Sequence, residues 1–153
     1  MRIRYYYILN ISRVLQKKGI YMIQASELIH KWHNVVKSYE VKDLDEIIAE
    51  DASFSSPVVF KPMHGKEVTL MYLYAAGQSF NMNKFKYTKE VHDGMNSVLE
   101  FETFIDDISV NGVDIIEWNE DGKIQNFKVM IRPIKAVEKV QEKMIASLEL
   151  VMR

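Results

Sequence analysis

Apolar positions in this chain recur first at helical spacing and then at strand spacing. Leu28, Ile29, Trp32, Val35, Val36 and Tyr39 fall three and four residues apart behind Ser26, a candidate cap. Asp43 and Glu46 have the spacing of a capping box, with Leu44, Ile47 and Ile48 as the buried side of a short second helix. The segment EDASFSSPVVF, Glu50 to Phe60, reads as extended, and Pro57 has no N–H for a central ladder position. Lys66 to Ala76 predicts a third helix that stops near Gly77. Beyond it, Phe85–Val91, Ser97–Ile105, Val113–Trp118 and Gln125–Pro133 read as strands. HDGMN, DDISVNG and NEDGK are the breaks between them. Val137, Val140, Met144, Leu148 and Val151 then return to helical spacing.

Short breaks between successive strands favour antiparallel pairing. Helices followed by a strand meander predict an α+β fold, with helices on one face of a curved antiparallel sheet and an amphipathic C-terminal helix. Such a curve encloses a cavity between sheet and helices, where a small molecule would sit. No internal repeat or low-complexity linker divides residues 22–153, and 153 residues suffice for one sizeable core.

Composition excludes more than it selects. The net charge of −1 gives no bulk field for nucleic acid or membranes. It is unevenly spread: Met1–Tyr21 holds Arg2, Arg4, Arg13, Lys17 and Lys18 and no acid, leaving 15 bases against 21 acids elsewhere. Lys17-Lys18-Gly19 must be encoded by a purine run of ribosome-binding type, which makes Met22 a candidate start and residues 1–21 an extension. A basic tail or short amphipathic helix is the alternative. No cysteine is present, so disulfides and thiolate chemistry are excluded and a cytoplasmic location is expected. No apolar run is long enough to span a membrane. The four histidines show no metal-binding spacing, no phosphate-cradling glycine motif occurs, and no G-x-S-x-G elbow is present. Neither a metal nor a cofactor is expected.

The segments DLDEIIAEDASFSSPV, G-K-E and VDIIEWNEDGKIQNFKVMIRP, in that order, resemble the nuclear transport factor 2-like superfamily, specifically its SnoaL-like branch. The resemblance covers roughly Ala25 to Pro133. It implies a cone-shaped α+β barrel, commonly a homodimer paired through the outer sheet face, with a deep apolar pocket. It does not imply one function, since members include isomerases, cyclases, dehydratases and non-catalytic binders. In the ketosteroid isomerase pattern a general-base Asp stands just before the proline, where this chain has Ser56. A serine hydroxyl is no base near neutral pH without a partner. The second catalytic Asp of that pattern, which donates to the oxyanion, matches Asp114. A third residue, a first-helix Tyr, matches His33.

Each candidate has a plainer alternative. Asp114 is a pocket acid kept neutral by desolvation, or a surface Asp beside a turn. His33 is its partner, or a structural histidine. Ser56 orients a ligand, or closes a local turn before Pro57. His64 gates the pocket from its loop, or is solvated. Tyr72 packs or binds. Trp118, Phe127, Val129 and Ile131 match inward strand positions, as core or as an aromatic, apolar lining. Lys128, Met130 and Arg132, with Glu100 and Glu102, form the opposite face, solvated or dimeric. The expected ligand is a small apolar or aromatic molecule. Its chemistry would be isomerase-, cyclase- or hydratase-type proton transfer on a carbonyl or hydroxyl compound. The alternative is a non-catalytic binding or protein-interaction module.

Overall fold

The computed structural model describes residues 23–151; the expectations for residues 1–21 and for a start at Met22 lie outside the described residues. Three helices and two strands come first: α1 (Ala25–Ser38), α2 (Val41–Ile47), β1 (Ile48–Ser55), β2 (Met63–His64) and α3 (Lys66–Ser79). A 3-10 turn (Met82–Lys84) leads into β3 (Lys86–Asp93), β4 (Asn96–Ile105), β5 (Ile108–Trp118) and β6 (Ile124–Arg132), and α4 (Ile134–Val151) follows. The six strands form one sheet in the order β2-β1-β6-β5-β4-β3. No helix among the described residues is long and apolar enough to cross a membrane.

The β3–β6 meander is antiparallel throughout, as the short breaks require. Period-two alternation then sorts the side chains. Ser97, Leu99, Phe101, Thr103 and Ile105 of β4 face inward, as do Val110, Asp114, Ile116 and Trp118 of β5. Inward apolar residues of β4–β6 meet Leu28, Ile29, Trp32 and Val35 of α1 and Ala136, Val140 and Met144 of α4 in one core. Each Val, Leu, Ile, Phe or Met side chain among them stabilises the fold by about 1.5–3 kcal/mol when fully buried, which is what holds the helices inside the curve.

Five sequence expectations change. Gln24, not Ser26, precedes α1, and its backbone N–H donates to the Glu27 carboxylate at 3.2 Å. Glu40 caps α2, so Asp43 lies within the first turn, and Ile48 starts β1. β1 pairs parallel to β6, a long-range partnership that local patterning cannot show. β5 begins at Ile108, because Ile108 and Val110 continue the alternation; only Asp106-Asp107 turns, with Asp106 at φ 50°. Finally, α3 runs through Gly77 to Ser79. Gly77 does not end the helix but makes room: a Cβ there would lie 2.7 Å from the Tyr39 hydroxyl oxygen. Gly112 has a similar role on the sheet, where Phe101 of β4 crosses it and a Cβ would lie 2.2 Å from the ring and 2.9 Å from the Met130 carbonyl oxygen. That close approach lets the sheet curve around its contents.

Candidate functional site

The concave face and the helices enclose a cavity of about 100 Å³. Its walls are almost wholly apolar, with Phe54, Leu73, Phe80, Phe101 and Phe127 among them. Ring contacts fix the walls: Trp32 lies 4.8 Å from Phe127, and Phe85 stacks on Phe101 at 5.1 Å, centroid to centroid.

Strand register forces a carboxylic acid into this apolar interior. Asp114 pairs with Leu99 on one side and Val129 on the other, and all three share the concave face. The side chain is 5 % exposed and lines the cavity. Tyr87 of β3 reaches across β4 and donates its hydroxyl to Asp114 Oδ2 at 2.7 Å. The Tyr87 oxygen accepts from Trp32 Nε1 at 2.6 Å, so helix, edge strand and central strand meet in one short chain of hydrogen bonds. No second hydrogen bond reaches the Asp114 carboxyl among the described residues, yet no fully buried side-chain N or O among them lacks a partner. Oδ1 is therefore open to the cavity.

Electrostatics follow from burial. Desolvation pushes the Asp114 carboxyl up to about 7, against the smaller opposing effect of the Tyr87 hydrogen bond. Desolvation also raises the Tyr87 phenol well above its ordinary value, helped by the neighbouring Asp114. Below about pH 7 the site offers a neutral acid whose second oxygen faces an apolar space. Such a group can donate a hydrogen bond to an oxygen that gains negative charge.

The remaining candidates are placed unevenly. Phe127, Val129 and Ile131 line the cavity, as does Ser56. The Ser56 hydroxyl oxygen accepts the Val58 N–H at 3.2 Å, closing the local turn before the loop. His33 does not line the cavity: α1 turns its imidazole to Glu90 of β3, Nε2 to Oε1 at 2.8 Å. The same Glu90 lies 3.4 Å from His92, whose Nδ1 meets the buried Ser97 hydroxyl. Trp118 also bonds Ser97 and sits 2 % exposed in the core, not on the cavity wall. Tyr72 packs behind Phe54 at 5.7 Å, and His64 is exposed on β2. Among the described residues no group of three or more histidines and acids could hold a metal ion.

The position against Asp114 thus belongs to Tyr87, which sequence reasoning missed. Phe85 and Tyr87 alternate with Lys84 and Lys86, so period two already puts both aromatics on one face. Elsewhere on the cavity wall, Tyr39 follows α1 at φ 60° and donates its hydroxyl to the Gly77 carbonyl at 2.7 Å. This bond joins α1 to α3 along the cavity wall, and burial raises the Tyr39 phenol.

No family model matches the sequence, and no curated protein is similar to it in sequence. Solved structures are similar. A steroid delta-isomerase from Pseudomonas aeruginosa shares 29% identity at a TM-score of 0.78, over 84% of this chain and 93% of that one. An uncharacterized bacterial protein with a cystatin-like fold from Silicibacter pomeroyi shares 31% identity at a TM-score of 0.73, over 78% and 83%. An NTF2-like protein from Mesorhizobium loti shares 17% identity at a TM-score of 0.62, over 71% and 91%, a likeness of fold alone. With the cone fold and these neighbours together, the chain belongs to the nuclear transport factor 2-like, or ketosteroid isomerase-like, superfamily.

Proposed function

We propose that the chain binds a small, one-ring carbonyl or phenolic compound in the cavity and polarises its oxygen with neutral Asp114. One observation carries this reading: a buried carboxyl lines an apolar cavity, with Tyr87 fixed on one oxygen and the other open. As the ligand oxygen gains charge, the acid's hydrogen bond to it strengthens, which is the stabilisation that isomerase- or cyclase-type proton transfer needs. Similarity to a steroid delta-isomerase supports this class of chemistry. The cavity's size supports a smaller substrate. About 100 Å³ falls below the ~300–1,000 Å³ of most ligand pockets and near the ~150 Å³ that admits benzene. The D-A-S-F-S-S-P-V and W-N-E-D-G-K-I segments favour the SnoaL-like branch within the superfamily.

A second reading, binding without turnover, is favoured by Ser56. The position that carries the family's base holds a hydroxyl already engaged with Val58. A homodimer through the outer sheet face is supported by a stripe of apolar residues there. Val91, Val98 and Ile115 lie in register, and Met130, 54% exposed, sits opposite Val113 on the same face. Sedimentation of wild type and Ile115→Glu tests it, a dimer lost in the variant being the expected result.

The test of the site is a titration with planar phenols at about pH 6, beside Asp114→Asn and His33→Ala. Wild type and His33→Ala should bind alike. Asp114→Asn should bind about tenfold more weakly, because the acid's O–H donor is replaced by a weaker amide N–H donor. Equal binding by all three proteins, or none by wild type, would remove Asp114 from the site. Double-bond migration in a one-ring enone, followed by ultraviolet absorbance, then separates enzyme from binder.

A further inference from the structure

The described residues lining the cavity include acids and no base. None of them is Lys, Arg or His; the acids are the buried Asp114, neutral below about pH 7, and the Glu40 carboxylate. Glu40 is exposed, so it marks the mouth. Its backbone is committed, the N–H donating to Ser38 Oγ and the carbonyl accepting from Leu44 N–H. Its carboxylate forms no hydrogen bond or ion pair with any described residue, whereas the Glu50, Glu90 and Glu102 carboxylates are all paired. Lys42, two residues on, is exposed and does not line the cavity. Tyr39, next to Glu40 in the chain, and Tyr74, 37% exposed, also line the cavity, and aromatic faces attract cations.

We infer that the cavity selects its ligand by charge: a one-ring compound with a phenolic or carbonyl oxygen at the inner end and a protonated amine at the outer end, held by Glu40. The same arrangement disfavours a carboxylate tail. Neither the fold nor the chemistry at Asp114 requires this, because a neutral ligand would fill the inner cavity equally well. The inference rests on the ligand seating its oxygen at Asp114.

Three matched phenols test it: tyramine with a cationic tail, 4-ethylphenol with a neutral one, and 4-hydroxyphenylacetate with an anionic one. Their dissociation constants are measured at about pH 6 and low salt on wild type, Glu40→Gln and Asp114→Asn. An exposed charge pair shifts each charged ligand by about threefold relative to the neutral one, so the amine should exceed the acid by about tenfold. Glu40→Gln should collapse that ratio and leave 4-ethylphenol unchanged. A ratio that survives in Glu40→Gln overturns the inference. So does a ratio that disappears only in Asp114→Asn, which would seat the amine at the inner end. If 4-ethylphenol does not bind wild type at all, the reading of Asp114 fails as well, and the two failures are thereby told apart.

Discussion

Replacing Asp114 by Asn should make the protein more stable, and increasingly so as pH rises. The two side chains have nearly the same shape, and an Asn carbonyl can still accept the Tyr87 hydroxyl. The variant differs in having no proton to lose. In the folded protein Asp114 titrates at about 7, against 3.8 when unperturbed, because burial disfavours its charged form. A folded pKa above the unfolded one means stability that is fully present below about pH 4 and is lost as pH rises to about 7. At about 1.4 kcal/mol per pH unit, the loss approaches 4 kcal/mol across that window, a large share of a typical stability of about 5–15 kcal/mol. Urea unfolding of wild type and variant, between pH 4 and 8, measures it. Trp32 and Trp118 are both buried and report the transition. Every other titrating group is common to the two proteins and cancels in the difference. With a slope of about 2 kcal/mol/M, the variant's midpoint should move up by as much as about 2 M relative to wild type at pH 8, and little at pH 4. Curves that stay parallel across the range would show that Asp114 is solvated, and an advantage to wild type at high pH would show that it is stabilised as an anion. Either result removes the neutral acid from the site.

Three further perturbations have definite directions. Tyr87→Phe leaves Trp32 Nε1 without its acceptor and Asp114 without its donor, so it should destabilise by about 1–3 kcal/mol in thermal or urea unfolding. Because that bond lowers the Asp114 pKa, its loss should also move the midpoint of the carboxyl titration, followed by NMR, upward. Gly112→Ala pushes a methyl against both the Phe101 ring and the Met130 carbonyl; part of the obstruction is backbone, so unfolding should become easier by about 1–3 kcal/mol. Gly77→Ala meets only the end of the Tyr39 side chain, which can swing away. Its effect on stability should be small, offset by a gain of up to about 1 kcal/mol in helix propensity, while stopped-flow entry of a phenol becomes faster than in wild type.

How much of this was legible in the sequence depends on the range of the interaction. The helix α1 and the inward faces of β4 and β6 follow from spacing alone, since Leu28, Trp32, Val35, Leu99 and Val129 obey the local period. The inward position of Asp114 was readable as an anomaly, a carboxylate flanked by Val113, Ile115 and Ile116. Its partner was not, because Tyr87 is joined to it across an intervening strand, and only the sheet order brings them together. His33 shows the same limit from the other side. A helix that buries Leu28, Ile29, Trp32 and Val35 must turn its neighbours toward the rim, and Glu90 of β3 is what waits there. Gly77 looked like a helix stop because local sequence cannot reveal the Tyr39 ring that needs the space.

The parallel pairing of β1 with β6 orders events in time as well as space. The β3–β6 meander consists of near neighbours in sequence, so its loops close early and at little entropic expense. β1 lies some seventy residues ahead of its partner, Ser53 beside Asn126, and cannot dock until β6 exists. During synthesis the N-terminal helices leave the ribosome first but must wait for nearly the whole chain before they have a sheet to cover. The cavity, walled by both halves, is therefore among the last parts of the molecule to form. A ligand that fills it acts on the final docking step, and would speed maturation chiefly by trapping the closed cone.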